Sequence, residues 1–402
     1  MDPESPWPSL MDGALHTNLL ARGMPEESSP EQWVSTHPDI LRTLQREFLL
    51  AGSQILSTPT LGAGSASLCT RLASITVELA REAGGKAAGV LGPAGLDAQR
   101  EENPFDHLVQ LYREKAAALE QAGVDFFSLE EMASLTEARA GVLACRPFGK
   151  PVCVSLALNE DGETLDGGDP TASLLTLQQL GISVFGVSSS AGPDSLIPAV
   201  RQLKKFSHVP LAVRPSAGQP NPLLPHLYEI GPSSFQKAAQ KLLKAGADIL
   251  GGGRGTTPAH IAEVKRLLQR GNISPAAPLP EKPEQHNDIL LCNGLEFFSL
   301  DAERMEFTEP ILCESDMADL LLSAEEDSQD LLLIQLDTPE DAALFGANQY
   351  LAQLPVCFRS DNEAALARAL FLYQGRCLVD SQCEIPRPTL QLLSDRYGAI
   401  LY

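Results

Sequence analysis

Along residues 8–270, short β-rich apolar runs alternate with stretches whose apolar residues recur every three to four positions. The runs at 10–15, 54–61, 87–91, 124–129, 151–158, 182–187, 210–213 and 247–250 predict strands. The amphipathic spacing predicts helices at 38–51, 66–83, 106–122, 134–145, 171–180, 194–205, 233–245 and 258–269. Several helices close on Gly just before the next strand, at Gly52, Gly123, Gly181 and Gly246, as C-terminal glycine caps do. Regular strand–helix alternation implies parallel pairing through right-handed crossovers. Eight such units fit a closed α/β (β/α)8 TIM barrel better than an open doubly wound sheet.

Residues 271–287 (GNISPAAPLPEKPEQHN) lose this rhythm. Their prolines and polar residues predict a linker with polyproline character. The rhythm resumes over 288–402, with strands expected at 331–336, 355–358, 376–379 and 399–401 and helices at 339–350, 362–373 and 388–397. That is a partial βα domain of about four units, half of a barrel, whose open sheet edges need a cover. The first barrel, a second copy of the chain or a separate partner chain would serve.

Composition narrows the function classes. The chain has 402 residues, 44% apolar, and a formal net charge of −22. From Glu284 onward there are 22 acids against six arginines and no lysine. Such a surface repels phosphate backbones, so nucleic acid is not an expected partner. No run approaches the length of a membrane span, and the first residues lack the basic and apolar regions of a secretory signal, so the expectation is a cytoplasmic protein away from the membrane. The eight cysteines (69, 145, 153, 292, 313, 357, 377 and 383) form no C-x-x-C pair and read as buried free thiols.

Candidate chemistry gathers where the strands end, because a (β/α)8 barrel builds its site there. Asp12 and His16 follow the first run, Thr58 lies late in the second, Glu130 follows the fourth, and Ser188 and Ser189 follow the sixth. The last strand runs into Gly251-Gly252-Gly253-Arg254-Gly255-Thr256-Thr257-Pro258. Its glycines and the helix start behind them suit either close approach to an anionic ligand or a plain tight turn. Arg254 suits either a neighbouring carboxylate such as Glu130 or a bound anion.

The segments MDGALHTNLLARG, PEQWVSTHPDILRTLQREFLLAG, VDFFSLEEMASLTEAR, PVCVSLALNEDGETLDG, AVRPSAGQP and GADILGGGRGTTPAHI follow one another as in the homocysteine S-methyltransferase family. The likeness covers roughly residues 8–269 and is greatest to the N-terminal, homocysteine-binding module of cobalamin-dependent methionine synthase. The resemblance implies a TIM barrel, methyl transfer to the homocysteine sulfur in methionine and one-carbon metabolism, and a zinc ion held by three cysteine thiolates. It also implies that Asp12, in place of the Asp of a DGAMGT-like opening, and Glu130, in place of the Glu of an ET motif, hold the ammonium group of a homocysteine-like amino acid. The thiolate positions depart: Ser188-Ser189 stand for Asn-Cys, and Gly253-Arg254 for the Cys-Cys of GGCCGT. Gln54, Ser57 and Pro59 likewise replace the polar residues of the second-strand motif, and His16 replaces a glycine.

The C-terminal segments SDNEAALARALFLYQGRCLVDSQ and LLSDRYGAILY are similar to the first half of a pterin-binding barrel, with Arg359 and Asp380 at two polar marker positions. The resemblance to both modules leaves three readings open. One is a homocysteine S-methyltransferase-type enzyme. The second is a non-catalytic small-molecule-binding or scaffold subunit, a pseudoenzyme whose zinc site is lost. The third is a metal-free enzyme centred on Arg254. The expectation for cofactors is none: the zinc ligands are absent and the folate markers are off pattern.

Overall fold

The computed structural model describes residues 10–95, 104–270, 288–314, 317–323 and 329–402; the expected linker, 271–287, lies outside them. The chain divides into two compact units. The first comprises Met1–Asp166 and Ile182–Leu279, the second Gly167–Gly181 and Pro280–Tyr402.

In the first unit the strands are β1 (Ile55–Ser57), β2 (Lys86–Leu91), β3 (Phe126–Met132), β4 (Val152–Leu158), β5 (Val184–Ser189), β6 (Leu211–Pro215) and β9 (Ile249–Leu250). They form one curled parallel sheet in that order, an α/β, TIM-barrel-like arrangement. Leu10 and Met11 make parallel bridges to Leu250 and Ile55, on the two edge strands. Inward-facing Met11, Ile55, Ala88, Phe126, Cys153, Val184 and Ile249 pack as an apolar layer, as alternation along each strand requires. Outside lie α3 (Pro38–Ala51), α4 (Ala66–Glu82), α5 (Pro104–Ala122), α6 (Leu135–Cys145), α8 (Ile197–Phe206), α9 (Pro232–Ala245) and α10 (Pro258–Gln269). The expected capping glycines at 52, 123, 181 and 246 all have positive φ.

The departures have local causes. The run at 10–15 bridges only at Leu10 and Met11, because the backbone beyond is held by the glycine-rich turn. Gly252 donates to the Asp12 carbonyl at 2.9 Å, the Ala14 amide donates to Thr256 Oγ1 at 3.1 Å, and α1 (His16–Leu20) follows. The run at 54–61 stops at Ser57: Pro59 offers no amide, and the Thr60 amide folds back onto the Thr58 carbonyl at 2.9 Å. In the first unit, two further elements were not anticipated. One is α2 (Pro30–Thr36), capped by Ser29; the other is a hairpin of β7 (Pro220–Asn221) and β8 (Leu224–Tyr228).

The second unit contains α7 (Pro170–Gln179), an antiparallel hairpin of β10 (Asp288–Cys292) and β11 (Phe297–Asp301), and a parallel sheet. That sheet runs β12 (Ile311–Leu312), β13 (Leu332–Gln335), β14 (Val356–Arg359), β15 (Leu378–Val379), β16 (Ile400–Leu401), in sequence order. Helices α11 (Met317–Ser323), α12 (Pro339–Asn348), α13 (Glu363–Leu372) and α14 (Arg387–Tyr397) separate the strands. Leu332, Ile334, Phe358 and Val379 pack with helical Phe345, Leu366 and Leu390. Residues of opposite parity, Leu331, Leu333, Cys357 and Leu378, pack with Leu291 of the hairpin. The sheet therefore has five strands rather than four, and the chain's own hairpin packs on one of its faces. Among the described residues no helix is long and apolar enough to cross a membrane.

Candidate functional site at the strand ends

The strand ends of the first unit converge on one buried cation that the motifs did not single out. Arg214, near the end of β6, donates from Nη1 to Glu130 Oε1 at 2.7 Å and Ser57 Oγ at 3.1 Å. From Nη2 it reaches Asp12 Oδ1 at 3.3 Å and the Gly252 carbonyl at 3.4 Å. Its side chain is 12% exposed, against 6% for Asp12 and 14% for Glu130. Asp12 is fixed further by Ser57, whose amide and hydroxyl donate to its two oxygens at 2.7 and 2.8 Å. Ser128 Oγ donates to Glu130 at 3.0 Å.

The electrostatics follow from burial. Desolvation raises the pKa of Asp12 and of Glu130 above the ordinary carboxylate range, against the pull of Arg214. Burial works against the charge of Arg214, but Glu130 and Asp12 outweigh it and raise its pKa. The guanidinium stays charged and spans two carboxylates drawn from opposite parts of the sheet. Strand parity carried a signal for it: Ala212 lines the interior together with Arg214, and two residues along a strand return to the same face. Below, a void of about 20 Å³ bordered by Phe126, Cys153, Val184 and Ile249 has room for little more than a water. Cys153 is no thiolate there; burial, then the charge of Glu130, pushes its pKa well up.

The other candidates are spread around this centre. Arg254 does not meet Glu130. It pairs with Glu131 at 3.5 Å and is 63% exposed, so the contact is worth little. Glu131 has φ of 58°, the sole positive φ at a non-glycine among the described residues. It lies where β3 shifts register against β4, between Leu129 and Met132. A bulge at a strand end re-aims side chains and stores strain. Glu131→Gly is expected to raise stability by about 0.5–1 kcal/mol, since glycine adopts this conformation freely; a lower melting temperature for this variant would refute the strain. His16 is pushed down in pKa by desolvation and then by the charge of Arg254.

Ser189 is buried; its hydroxyl accepts from the Ala191 amide at 3.1 Å, and its carbonyl accepts from the Ser216 amide at 3.2 Å. Ser188 Oγ donates to the Leu156 carbonyl at 3.4 Å. Thr58 Oγ1 accepts from the Val90 amide at 2.8 Å and bonds Thr60. Thr256 holds the glycine turn, donating to the Gly253 carbonyl at 2.7 Å. A Cβ at Gly253 would lie 2.7 Å from the Arg214 carbonyl oxygen and 3.0 Å from Pro215 backbone atoms. That close approach lets the Gly253 amide bond the Pro215 carbonyl at 2.8 Å. Among the described residues no group of three His, Cys, Asp or Glu side chains is placed to hold a metal ion. None of the eight cysteines, all of them among the described residues, is joined in a disulfide.

The sequence profile of the homocysteine S-methyltransferase family matches residues 9–268. Methionine synthase of Mycobacterium tuberculosis is 27% identical over 292 residues, which is 63% of this chain and 24% of that protein. Methionine synthase of Mycobacterium leprae is 26% identical over 299 residues, 65% of this chain and 24% of that protein. The chain thus spans about a quarter of the length of these relatives. Among solved structures, the metallated homocysteine methyltransferase MmuM from Escherichia coli superposes with a TM-score of 0.55 at 23% identity. The superposition covers 64% of this chain and 96% of that one, a likeness of fold.

Proposed function

Because the chain belongs to the homocysteine S-methyltransferase family, we propose that it is a cytoplasmic, non-catalytic member that keeps the barrel and has lost the zinc-thiolate chemistry. The observation that carries this reading is the donor set at the three metal positions. Ser189 brings a hydroxyl already used within its turn, Gly253 has no side chain and no space for one, and Arg254 brings a fixed positive charge. Zinc selects thiolate, imidazole and carboxylate donors, and these three residues do not fit it. Without it, a thiol of ordinary pKa, about 8.5, is only a few per cent ionised at neutral pH, too little for efficient attack on a methyl donor.

The C-terminal unit belongs to the same reading as half of a pterin-type barrel that takes no folate. In support, its two marker residues bind each other, Arg359 Nε donating to Asp380 Oδ2 at 2.6 Å. A second copy or a partner chain is proposed to cover its sheet edges. The test is purification under reducing conditions followed by elemental analysis and a homocysteine methylation assay. The expected result is far less than one zinc per chain and no methyl transfer above the uncatalysed rate. One firmly held zinc per chain together with turnover of homocysteine would overturn the proposal.

A further inference from the structure

We infer that Arg214 is a built-in occupant of the cation pocket at the barrel mouth, so that the site excludes ligands presenting a free ammonium group. Asp12 and Glu130 make a pocket for one cation: two buried carboxylates, braced by Ser57 and Ser128, facing a common point. The point is filled from within the chain. Both terminal nitrogens of Arg214 are engaged, one with Glu130 and Ser57, the other with Asp12 and the Gly252 carbonyl. That is four acceptors for the four hydrogens these two nitrogens carry. An incoming ammonium needs the charge of the same two carboxylates. To reach them it must expel a guanidinium that is covered to about nine-tenths. Expulsion strands a buried charge, and this penalty subtracts from the affinity of any amine. Arg214 is thus a specificity-determining residue acting by occupancy.

This rests on the reading of the mouth as a family site that has left its ancestral chemistry, but it can be tested apart from zinc. Calorimetric titration of the full chain with L-homocysteine and with methylammonium is expected to show no saturable binding up to about 10 mM. Arg214→Ala empties the pocket and is expected to lower Tm by roughly 10 °C. Guanidinium at about 10 mM, or methylammonium, should then raise the variant's Tm by a few degrees through binding to the native state. The same salts should not raise the Tm of Leu242→Ala, a variant weakened at a buried leucine of α9. Arg214→Lys, which refills the pocket, should lose the response. Absence of rescue in a folded Arg214→Ala overturns the inference. If Arg214→Ala does not fold, the wild-type titrations decide. Silence supports occupancy; sub-millimolar binding of homocysteine that Asp12→Asn abolishes refutes it, whatever the zinc content.

Discussion

A fragment of residues 280–402 is expected to unfold without a cooperative transition, although the described residues among them form a packed core in the full chain. The reason is α7. The chain leaves the first unit after β4, lends Gly167–Gly181 to the second unit, and returns for β5. Within the second unit the Asp169 amide donates to the Leu295 carbonyl at 2.7 Å. Gly398, at the end of α14, sits so close to Gln179 that a Cβ would lie 2.9 Å from that side chain. The hairpin and the last helix both rest on a segment the fragment lacks. Residues from Pro170 to Leu177 are all buried, and each buried leucine among them contributes about 1.5–3 kcal/mol, a large share of a small unit's stability. Circular dichroism melts and NMR dispersion of the fragment are the check. A monomeric fragment with dispersed signals and a sharp melt would show that α7 is dispensable. The open edges of β12 and β16 remain a second hazard, but one sheet face is already covered by the hairpin carrying Leu291.

Placing cysteine at positions 189, 253 and 254 is expected not to create a zinc site, and Gly253→Cys alone is expected to lose about 2 kcal/mol or more of stability. The added Cβ meets the Arg214 carbonyl at 2.7 Å and the backbone of Pro215 at 3.0 Å. Backbone cannot turn aside as a side-chain tip can, so the turn must shift and lose its bond from Gly253 to Pro215. Arg254→Cys falls on an exposed side chain and should change stability by less than about 0.5 kcal/mol. Thermal melts of the single variants and zinc analysis of the triple variant provide the comparison. A Gly253→Cys chain as stable as the parent, with the triple variant holding one zinc, would mean that the turn still has the geometry of a metal site.

How much of this was legible beforehand divides along sequence distance. Glu130 lies at a strand end by periodicity alone, and so does the turn from Gly251 to Thr256. Arg214 was visible in the same way, through its parity with Ala212, yet its role depends on partners at positions 12, 57 and 130. Only the curling of the sheet brings those residues together. Arg254 shows the converse. Its place in a distinctive turn suggested Glu130 as partner, and a single bulge in β3 presents Glu131 instead.

What the amino-acid order determined by itself is whatever rests on neighbours within a few residues. The 3.6- and 2-residue periods and the capping glycines are of this kind, since backbone sterics and local hydrogen bonds decide them. The family likeness also lies in the order of residues, because its motifs are local strings. The tertiary structure alone decided that a buried arginine fills the space between two carboxylates, that α7 counts with the C-terminal unit, and that the hairpin of β10 and β11 lies on a parallel sheet. Each of these is a contact between segments far apart in the chain. Their energies come from burial and from pairing charges away from water, and neither leaves a local pattern to be read.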